Sequence, residues 1–217
     1  MVSQRQIDYP PIPDDYEPPR SVSNEEYERL AEMLAGKYEY HDGLMYPRFY
    51  PPGSHWAMAG GTIAHAQLIV SLLTALRGHL GNRGPCRVYP SDMQLATAAN
   101  TYFPDACVAC GETRPNQRRL EDAALVCEVR SQSTAEFDRE EKFESYKSLL
   151  SLREYLILDN RRPQATLYRK SGAGAWTYLV FPAGTAVPLE TIDLVLSIDE
   201  LYDGVTLDPD PTRPGRS

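Results

Sequence analysis

Two carboxylates near the middle of the chain have the chemistry and the spacing of a divalent-metal site. Asp105 follows Pro104 at the start of a β-rich segment, and Glu128 stands near the end of the next predicted strand. Adjacent strands joined by a hairpin loop can bring these two side chains within a few ångströms of each other. Mg²⁺ prefers oxygen ligands of this kind, with water completing its shell. The spacing therefore predicts a metal site at Asp105 and Glu128, and the hypothesis of a metal-dependent nuclease adds the Val129 carbonyl as a further ligand.

A lysine on the following predicted helix is the natural partner of this site. The helix is expected over about residues 135–150, after a capping box at 133–136, and Lys142 lies in its first turns. Because the connection from Glu128 is short, the helix must begin beside the end of that strand. A cation there orients or deprotonates an attacking water and offsets charge on a phosphoryl transition state. The alternative is a solvated lysine in a charged run.

Other candidate residues have structural alternatives of their own. Asp105 after a proline is also typical of a turn, where aspartate is common. Asp92, expected near the middle of a strand, is either a carboxylate behind the site or, as we favour, a hydrogen-bonded structural residue. A carboxylate such as Glu128 at the end of an apolar strand is costly to bury unless it is paired or metal-bound.

The periodicity of apolar residues predicts helices first, then strands with one crossover helix, and finally a β-meander. This order is typical of an α/β or α+β domain, with a central mixed sheet flanked by helices. We expect the domain at 23–205, between a Pro-rich arm at 1–22 and a disordered tail at 206–217. The predicted elements are a helix near 23–34, a hairpin around Asp42-Gly43, a helix at 62–80, strands at 87–97, 102–110, 123–130, 154–159, 165–170 and 176–181, and a helix at 197–202.

Composition excludes some classes of function. The formal net charge is −8, which argues against loose adhesion to DNA or to anionic membranes. It does not exclude a nuclease, because a bound cation reverses the sign of an acidic site. No signal peptide and no apolar run of about 18 residues is present, so a cytoplasmic protein with no membrane contact is expected. The four cysteines are then expected to be free thiols, and the Cys107-x-x-Cys110 spacing lacks the second pair that zinc requires.

Several short motifs, taken in order, resemble one known family. They are Pro104-Asp105, the run from Glu128 to Thr134, the run from Asp138 to Lys142, and Tyr146. In this order they resemble the Uma-two family of putative restriction endonucleases, in the PD-(D/E)XK nuclease superfamily. Further matches, which extend the resemblance from about residue 25 to 204, are Tyr38-Glu39 with Asp42-Gly43, His65, Ser91-Asp92, Leu152 to Tyr155, and Asp159.

The resemblance implies a restriction-endonuclease-like fold and hydrolysis of DNA phosphodiester bonds with Mg²⁺, or with Mn²⁺, and no small-molecule cofactor. It carries metal roles onto Asp105 and Glu128 and the catalytic-lysine role onto Lys142. It adds Glu39 as a further catalytic carboxylate and His65 as a residue that lines the site. An exposed hairpin residue and a core histidine are the respective alternatives. Analogy with the superfamily also implies a homodimer, with two sites for two strands.

One departure from the superfamily pattern keeps other functions open. The usual lysine position, two residues after the glutamate, holds Arg130, which stays protonated and cannot act as a general base. Arg130 either contacts phosphate or points to solvent. The second hypothesis is therefore a catalytically silent module with the nuclease fold that binds nucleic acid or protein. A third is a nuclease that acts on RNA.

Overall fold

The computed structural model describes residues 20–33, 37–47, 62–82, 84–130 and 141–208, with only the backbone of Arg130. The chain divides into two compact units, residues 1–60 and 61–217. In the described ranges no helix is long and apolar enough to cross a membrane.

The N-terminal unit is a small hairpin with one helix packed on it. Its elements are β1 (Arg20–Ser21), α1 (Asn24–Met33), β2 (Tyr38–His41) and β3 (Leu44–Pro47). The predicted helix cap is confirmed, because the Ser23 hydroxyl accepts the Glu26 N–H at 3.1 Å. The predicted turn is confirmed as well: Asp42 and Gly43 both have positive φ, 47° and 82°, as a tight two-residue hairpin turn requires.

The start of this unit differs from the sequence-based boundary. Arg20 and Ser21, which the sequence placed in the Pro-rich arm, form β1 and pair with Met45 and Leu44 of β3. Val22 then enters the core of the unit, where it is 6% exposed. The other buried residues of this core are Tyr27, Leu30, Tyr40 and Met45. Ordered structure therefore begins before residue 23, because pairing with the hairpin satisfies the backbone there.

The second unit contains the remaining elements. In chain order they are α2 (Ile63–Leu80), β4 (Arg87–Pro90), β5 (Gln94–Ala96), β6 (Thr101–Tyr102), β7 (Ala106–Ala109), β8 (Arg119–Leu120), β9 (Leu125–Arg130), α3 (Phe143–Tyr146), β10 (Glu154–Asp159), β11 (Gln164–Lys170), β12 (Trp176–Pro182), β13 (Ala186–Leu189), β14 (Leu194–Ser197) and α4 (Ile198–Tyr202).

A mixed six-stranded sheet organises this unit, in the order β12-β11-β10-β9-β7-β4. β9 and β10 pair in parallel, while the other neighbours pair antiparallel. The parallel pair is possible because the segment that contains α3 crosses over between the two strands. The strand predicted at 123–130 is β9, and its residues 125–129 are all buried, as in a central strand.

Helices cover both faces of the sheet. On one face the α2 stripe Leu68, Leu72, Leu76 and Leu80 packs on inward residues of β7 and β9, together with the β13–β14 hairpin and α4. On the other face Phe143 and Tyr146 of α3 pack on the opposite side of the same strands. The predicted central mixed sheet flanked by helices is confirmed.

Three predicted elements differ in extent from the expectation. The strand predicted at 102–110 divides into β6 and β7. The strand predicted at 87–97 divides into β4 and β5, and Asp92 lies exposed in the turn between them, so its mid-strand placement was wrong. The helix predicted to reach Leu150 ends near Lys147, and Leu150 is 86% exposed. Turns from Tyr146 to Leu152 replace its last part, because the chain must reverse to enter β10. The predicted cap at 133–136 lies outside the described residues.

The expectation of four free thiols was wrong. Cys86 and Cys110 form a disulfide, with Cα atoms 3.8 Å apart. Arg87 pairs with Ala109 in the β4–β7 ladder, and one step further the two cysteines stand directly opposite each other. This long-range register could not be read from the spacing of the cysteines. Cys107 and Cys127 are free and fully buried.

Cysteine labelling tests this arrangement. Burial, and the nearby carboxylates of Glu128 and Asp122, raise the pKa of Cys107 to about 12, so its thiolate is scarce at neutral pH. Burial likewise raises the pKa of Cys127. We expect no rapid alkylation of either thiol in the native protein, two alkylated cysteines after denaturation without reductant, and four with reductant, as counted by mass spectrometry. Four without reductant would contradict the disulfide.

Candidate active site

The register of the β7–β9 ladder places Asp105 opposite Glu128. Ala106 pairs with Cys127, and one step beyond the ladder the next two residues are the carboxylates. Asp105 is 4% exposed and Glu128 6% exposed. The structure thus brings together the two residues that the sequence predicted as metal ligands. It also argues against an ordinary solvated turn aspartate at position 105, because that side chain is buried.

Each carboxylate is held by a backbone group of the opposite strand. The Asp105 N–H donates to Oε2 of Glu128 at 3.4 Å, a long contact, and the Val129 N–H donates to Oδ2 of Asp105 at 2.8 Å. These bonds replace ladder bonds at the point where β7 has not yet begun. Two acidic side chains are thereby fixed at the end of the strand pair.

Lys142 lies beside the same pair of carboxylates. Its Nζ lies 3.9 Å from Oε1 of Glu128 and 5.5 Å from the ring centroid of Tyr102. The lysine side chain is only 4% exposed, so the alternative of a solvated helix residue does not hold. A buried ammonium requires a partner, and the carboxylate with an aromatic face supplies one.

Tyr146 contacts the site, although the sequence named it only as part of the family resemblance and as an apolar-face residue, with no role of its own. Its hydroxyl donates to Oε1 of Glu128 at 3.0 Å, and the side chain is fully buried. It lies four residues after Lys142, so both side chains project from one helix face toward the same oxygen. In the sequence, the spacing of four residues between Lys142 and Tyr146 was the feature that could have indicated that both side chains approach the same group.

His65 enters from α2. The Thr62 hydroxyl caps this helix by accepting the His65 N–H at 3.3 Å, which sets the first turn. His65 Nε2 then lies 3.3 Å from Oδ2 of Asp105. The structure brings His65 together with Asp105, and this contact is compatible both with a residue that lines the site and with a core histidine satisfied by a carboxylate.

Glu39, Asp92 and Arg130 complete the residues of interest. Glu39 is buried on β2 in the N-terminal unit, and its catalytic role stays a prediction. Asp92 is exposed in its turn. The Arg130 side chain lies outside the described part of the chain, as do Asp138 and Arg139.

Residues 24–199 match the model of Uma2, described as "Putative restriction endonuclease". The chain belongs to the Uma2 family. It is 32% identical over 187 residues to an uncharacterised protein of Synechocystis sp., covering 85% of this chain and 93% of that protein. A second uncharacterised protein of the same organism is 30% identical over 156 residues, covering 70% of this chain and 82% of that protein.

A solved structure shares the fold of this Uma2 chain. It is described as the crystal structure of a putative nuclease belonging to DUF820 from Anabaena variabilis, with a TM-score of 0.66. The match covers 85% of this chain and 99% of that chain, at 14% sequence identity. The protein therefore has a restriction-endonuclease-like α+β fold, as its sequence predicted.

Other buried carboxylates of this Uma2 protein show what a structural role looks like. Glu154 accepts from Arg169 Nε at 2.8 Å and from the backbone of the loop after β13. Asp159 accepts from Arg162 Nε at 3.1 Å and from the Arg161 N–H at 3.0 Å. Each has its own arginine contact, whereas Asp105 and Glu128 are served by one lysine and one histidine.

Most of the atoms in this cluster that could bind a cation are oxygen atoms. Among the described residues, no group of three or more His, Cys, Asp and Glu side chains is arranged to hold a metal ion. The donors at the end of β7 and β9 are two carboxylates, with the His65 imidazole beside Asp105. The carboxylates suit a hard cation that keeps part of its water shell.

Replacement of Tyr146 by phenylalanine isolates the hydroxyl contact. The ring stays, while Oε1 of Glu128 loses a buried hydrogen bond to a charged acceptor, a contact that contributes about 1.5–3 kcal/mol. We expect Tyr146→Phe to lower the free energy of unfolding by about that amount, measured by urea denaturation without metal. A change below about 0.5 kcal/mol would mean that the hydroxyl does not hold Glu128.

Proposed function

We propose that this chain is a divalent-metal-dependent endonuclease that hydrolyses DNA phosphodiester bonds. The observation that carries the proposal is the buried pair Asp105 and Glu128 at the end of two adjacent strands, with Lys142 3.9 Å from Glu128. Membership of a family described as "Putative restriction endonuclease" supports the same reaction class.

The residues present fit Mg²⁺, with Mn²⁺ as a substitute. Asp105 and Glu128 would hold the ion through carboxylate oxygens, and the Val129 carbonyl would add a third ligand. In a strand, the N–H and C=O of one residue point to the same side. Since the Val129 N–H points to Asp105, its carbonyl faces that side as well. When bound, the ion supplies a Lewis acid at the phosphoryl group.

The charges of the site explain how an acidic protein can bind DNA there. The two carboxylates and Lys142 sum to one negative charge with His65 neutral, and a divalent cation would make the site positive. DNA phosphate would therefore be attracted only in the presence of metal. This local reversal is compatible with the net charge of −8.

Each remaining side chain has a separate task in this proposal. Lys142 donates to a phosphoryl oxygen and stabilises the charge that develops there in the transition state. Tyr146 fixes the orientation of Glu128. His65 Nε2, 3.3 Å from Asp105, holds the carboxylate of Asp105 in place. We also propose that the protein forms a homodimer, that it is located in the cytoplasm, and that its substrate is DNA rather than RNA.

Metal binding by Glu128 can be tested by comparing Glu128→Gln with the same substitution at a second buried glutamate. Mg²⁺ at ten times its dissociation constant should stabilise the wild-type protein by about 1.4 kcal/mol, a Tm increase of roughly 3–6 °C. We expect Glu128→Gln to abolish this increase in differential scanning fluorimetry. Glu154→Gln, a buried glutamate on the neighbouring strand, should lower the baseline Tm but keep the response to Mg²⁺. Loss of the response in both variants would contradict a site at Glu128.

Cleavage can be tested by comparing Lys142→Ala with the same substitution at a nearby lysine that lies outside the site. We expect the pure protein to nick supercoiled plasmid with Mg²⁺ or Mn²⁺ and to be inactive in EDTA. Asp105→Ala and Lys142→Ala should each reduce the initial rate at least about 100-fold, because each removes charge stabilisation at the reacting phosphate. Lys147→Ala, on the same helix but paired with Glu144, should retain the wild-type rate. Equal rates in all variants would indicate a contaminating nuclease.

The second candidate is the catalytically silent module with the nuclease fold. It is favoured by the contact that Lys142 makes with Glu128, since an ion pair of this kind can neutralise the site without metal. A wild-type protein that binds Mg²⁺ but cleaves neither duplex DNA, single-stranded DNA nor RNA would support this candidate. Cleavage of RNA alone would keep the site and change the substrate.

A further inference from the structure

The last strand of the large sheet has an open edge. β12 follows β11 in the sheet order, and among the described strands it hydrogen-bonds on that side only. It is seven residues long, longer than most strands of this sheet. The backbone groups on its outer side are therefore available for pairing with another strand.

The side chains of this edge are apolar and exposed. Tyr178, Leu179 and Val180 are 67%, 44% and 49% exposed. No charged residue occurs between Trp176 and Pro182, and the proline stands only at the end. Edge strands are usually protected from association by charges, an internal proline, a bulge or a very short length. β12 has none of these in its central part, which favours a role as an interface.

We propose that β12 pairs with β12 of a second copy of this chain, antiparallel about a two-fold axis, and joins the two sheets into one. An edge strand paired antiparallel with itself satisfies the two-fold symmetry that homodimers most often have. The same surface lies on both sides of such a contact, so no separate complementary partner is required.

Charge supports a second copy as the occupant. Two chains of net charge −8 repel each other, so their contact must exclude like charges, and the uncharged β12 does so. The ends of the strand are complementary. Lys170 lies 5.9 Å from the Trp176 ring at one end, and exposed Asp199 accepts the Gly184 N–H near the other. Antiparallel pairing brings the lysine end of one copy beside the aspartate end of the other.

This pairing has a consequence for the proposed nuclease. β12 runs parallel to β9, because two antiparallel steps separate β12 from β10 and β10 is parallel to β9. A two-fold axis normal to the sheet then turns the two sites toward opposite ends of the joined sheet. Each site would act alone, which favours nicks over paired cuts. The pairing rests on the homodimer of the proposed function but replaces an arrangement with two sites on two strands by one in which the sites are independent. It is tested by mass, so the dimer and the nuclease activity can fail separately.

The test is the molar mass of the full-length protein by light scattering after size exclusion. We expect the wild type to have twice the chain mass of 24.4 kDa at tens of micromolar, and Val180→Lys to have the mass of one chain. Val195→Lys is the matched control, since Val195 is 66% exposed on β14 outside this sheet, and it should remain a dimer. Circular dichroism and Tm establish that each variant is folded.

Several results would overturn the proposal: a monomeric wild type, a dimeric Val180→Lys, or a monomeric Val195→Lys. Hydrogen exchange of the wild type keeps the test decisive even where Val180→Lys does not fold. Protection of the β12 amides that decreases on dilution, together with the mass, supports the pairing. Protection that persists in a monomer would mean that another segment of the same chain covers the edge, and would also overturn it.

Discussion

The antiparallel ladder between β7 and β9 determines where the two site carboxylates stand. Ala106 pairs with Cys127, and Asp105 and Glu128 follow as the next opposed residues. A slip of one residue would turn every side chain of one strand to the other face of the sheet. The apolar residues on both faces prevent such a slip, because Val108, Leu125 and Cys127 pack toward α2 while Cys107 and Val126 pack toward α3. The hydrophobic core thus fixes the geometry of an acidic site.

Burial makes this acidic pair energetically expensive without a cation. A carboxylate removed from water loses its hydration, and the loss must be offset by hydrogen bonds or opposite charge. Glu154 and Asp159 are offset by Arg169 and Arg162. Asp105 and Glu128 are held by two backbone amides, Tyr146, His65 and Lys142. The proposed function adds a cation to this pair, which would offset the cost of burying two carboxylates side by side.

Local signals in the sequence were sufficient for much of the fold. The Ser23 cap, the Asp42-Gly43 turn and the apolar stripe of α2 each predicted an element that the structure contains, because these signals act within a few residues. The Cys86–Cys110 disulfide depends on the β4–β7 register instead, which no local pattern determines. The β13–β14 hairpin was not predicted at all, since its short strands acquire their stability from packing on the sheet.

The candidate site was predictable to a different degree for each residue. Asp105 and Glu128 follow from strand spacing, and the structure places them together. Lys142 followed from the short connection after Glu128, which places the next helix beside the end of that strand, and the family resemblance gave it the same role. Tyr146 was counted as apolar, since a phenol at a core position of a helix is usually there for its ring. Its hydroxyl becomes informative only when the acceptor on another element is known.

Lys142 lies on a helix rather than on a strand, so its position depends on the aromatic side chains that pack this helix against the sheet. Phe143, the neighbour of Lys142, stacks on Tyr155 of β10 with centroids 5.4 Å apart. It also meets the edge of Trp176 on β12 at 5.1 Å. The ammonium group is therefore positioned by the cluster that holds α3 on the sheet, and that cluster extends to the open edge strand. Association at β12 would stabilise Trp176 and, through Phe143, the helix that carries both Lys142 and Tyr146.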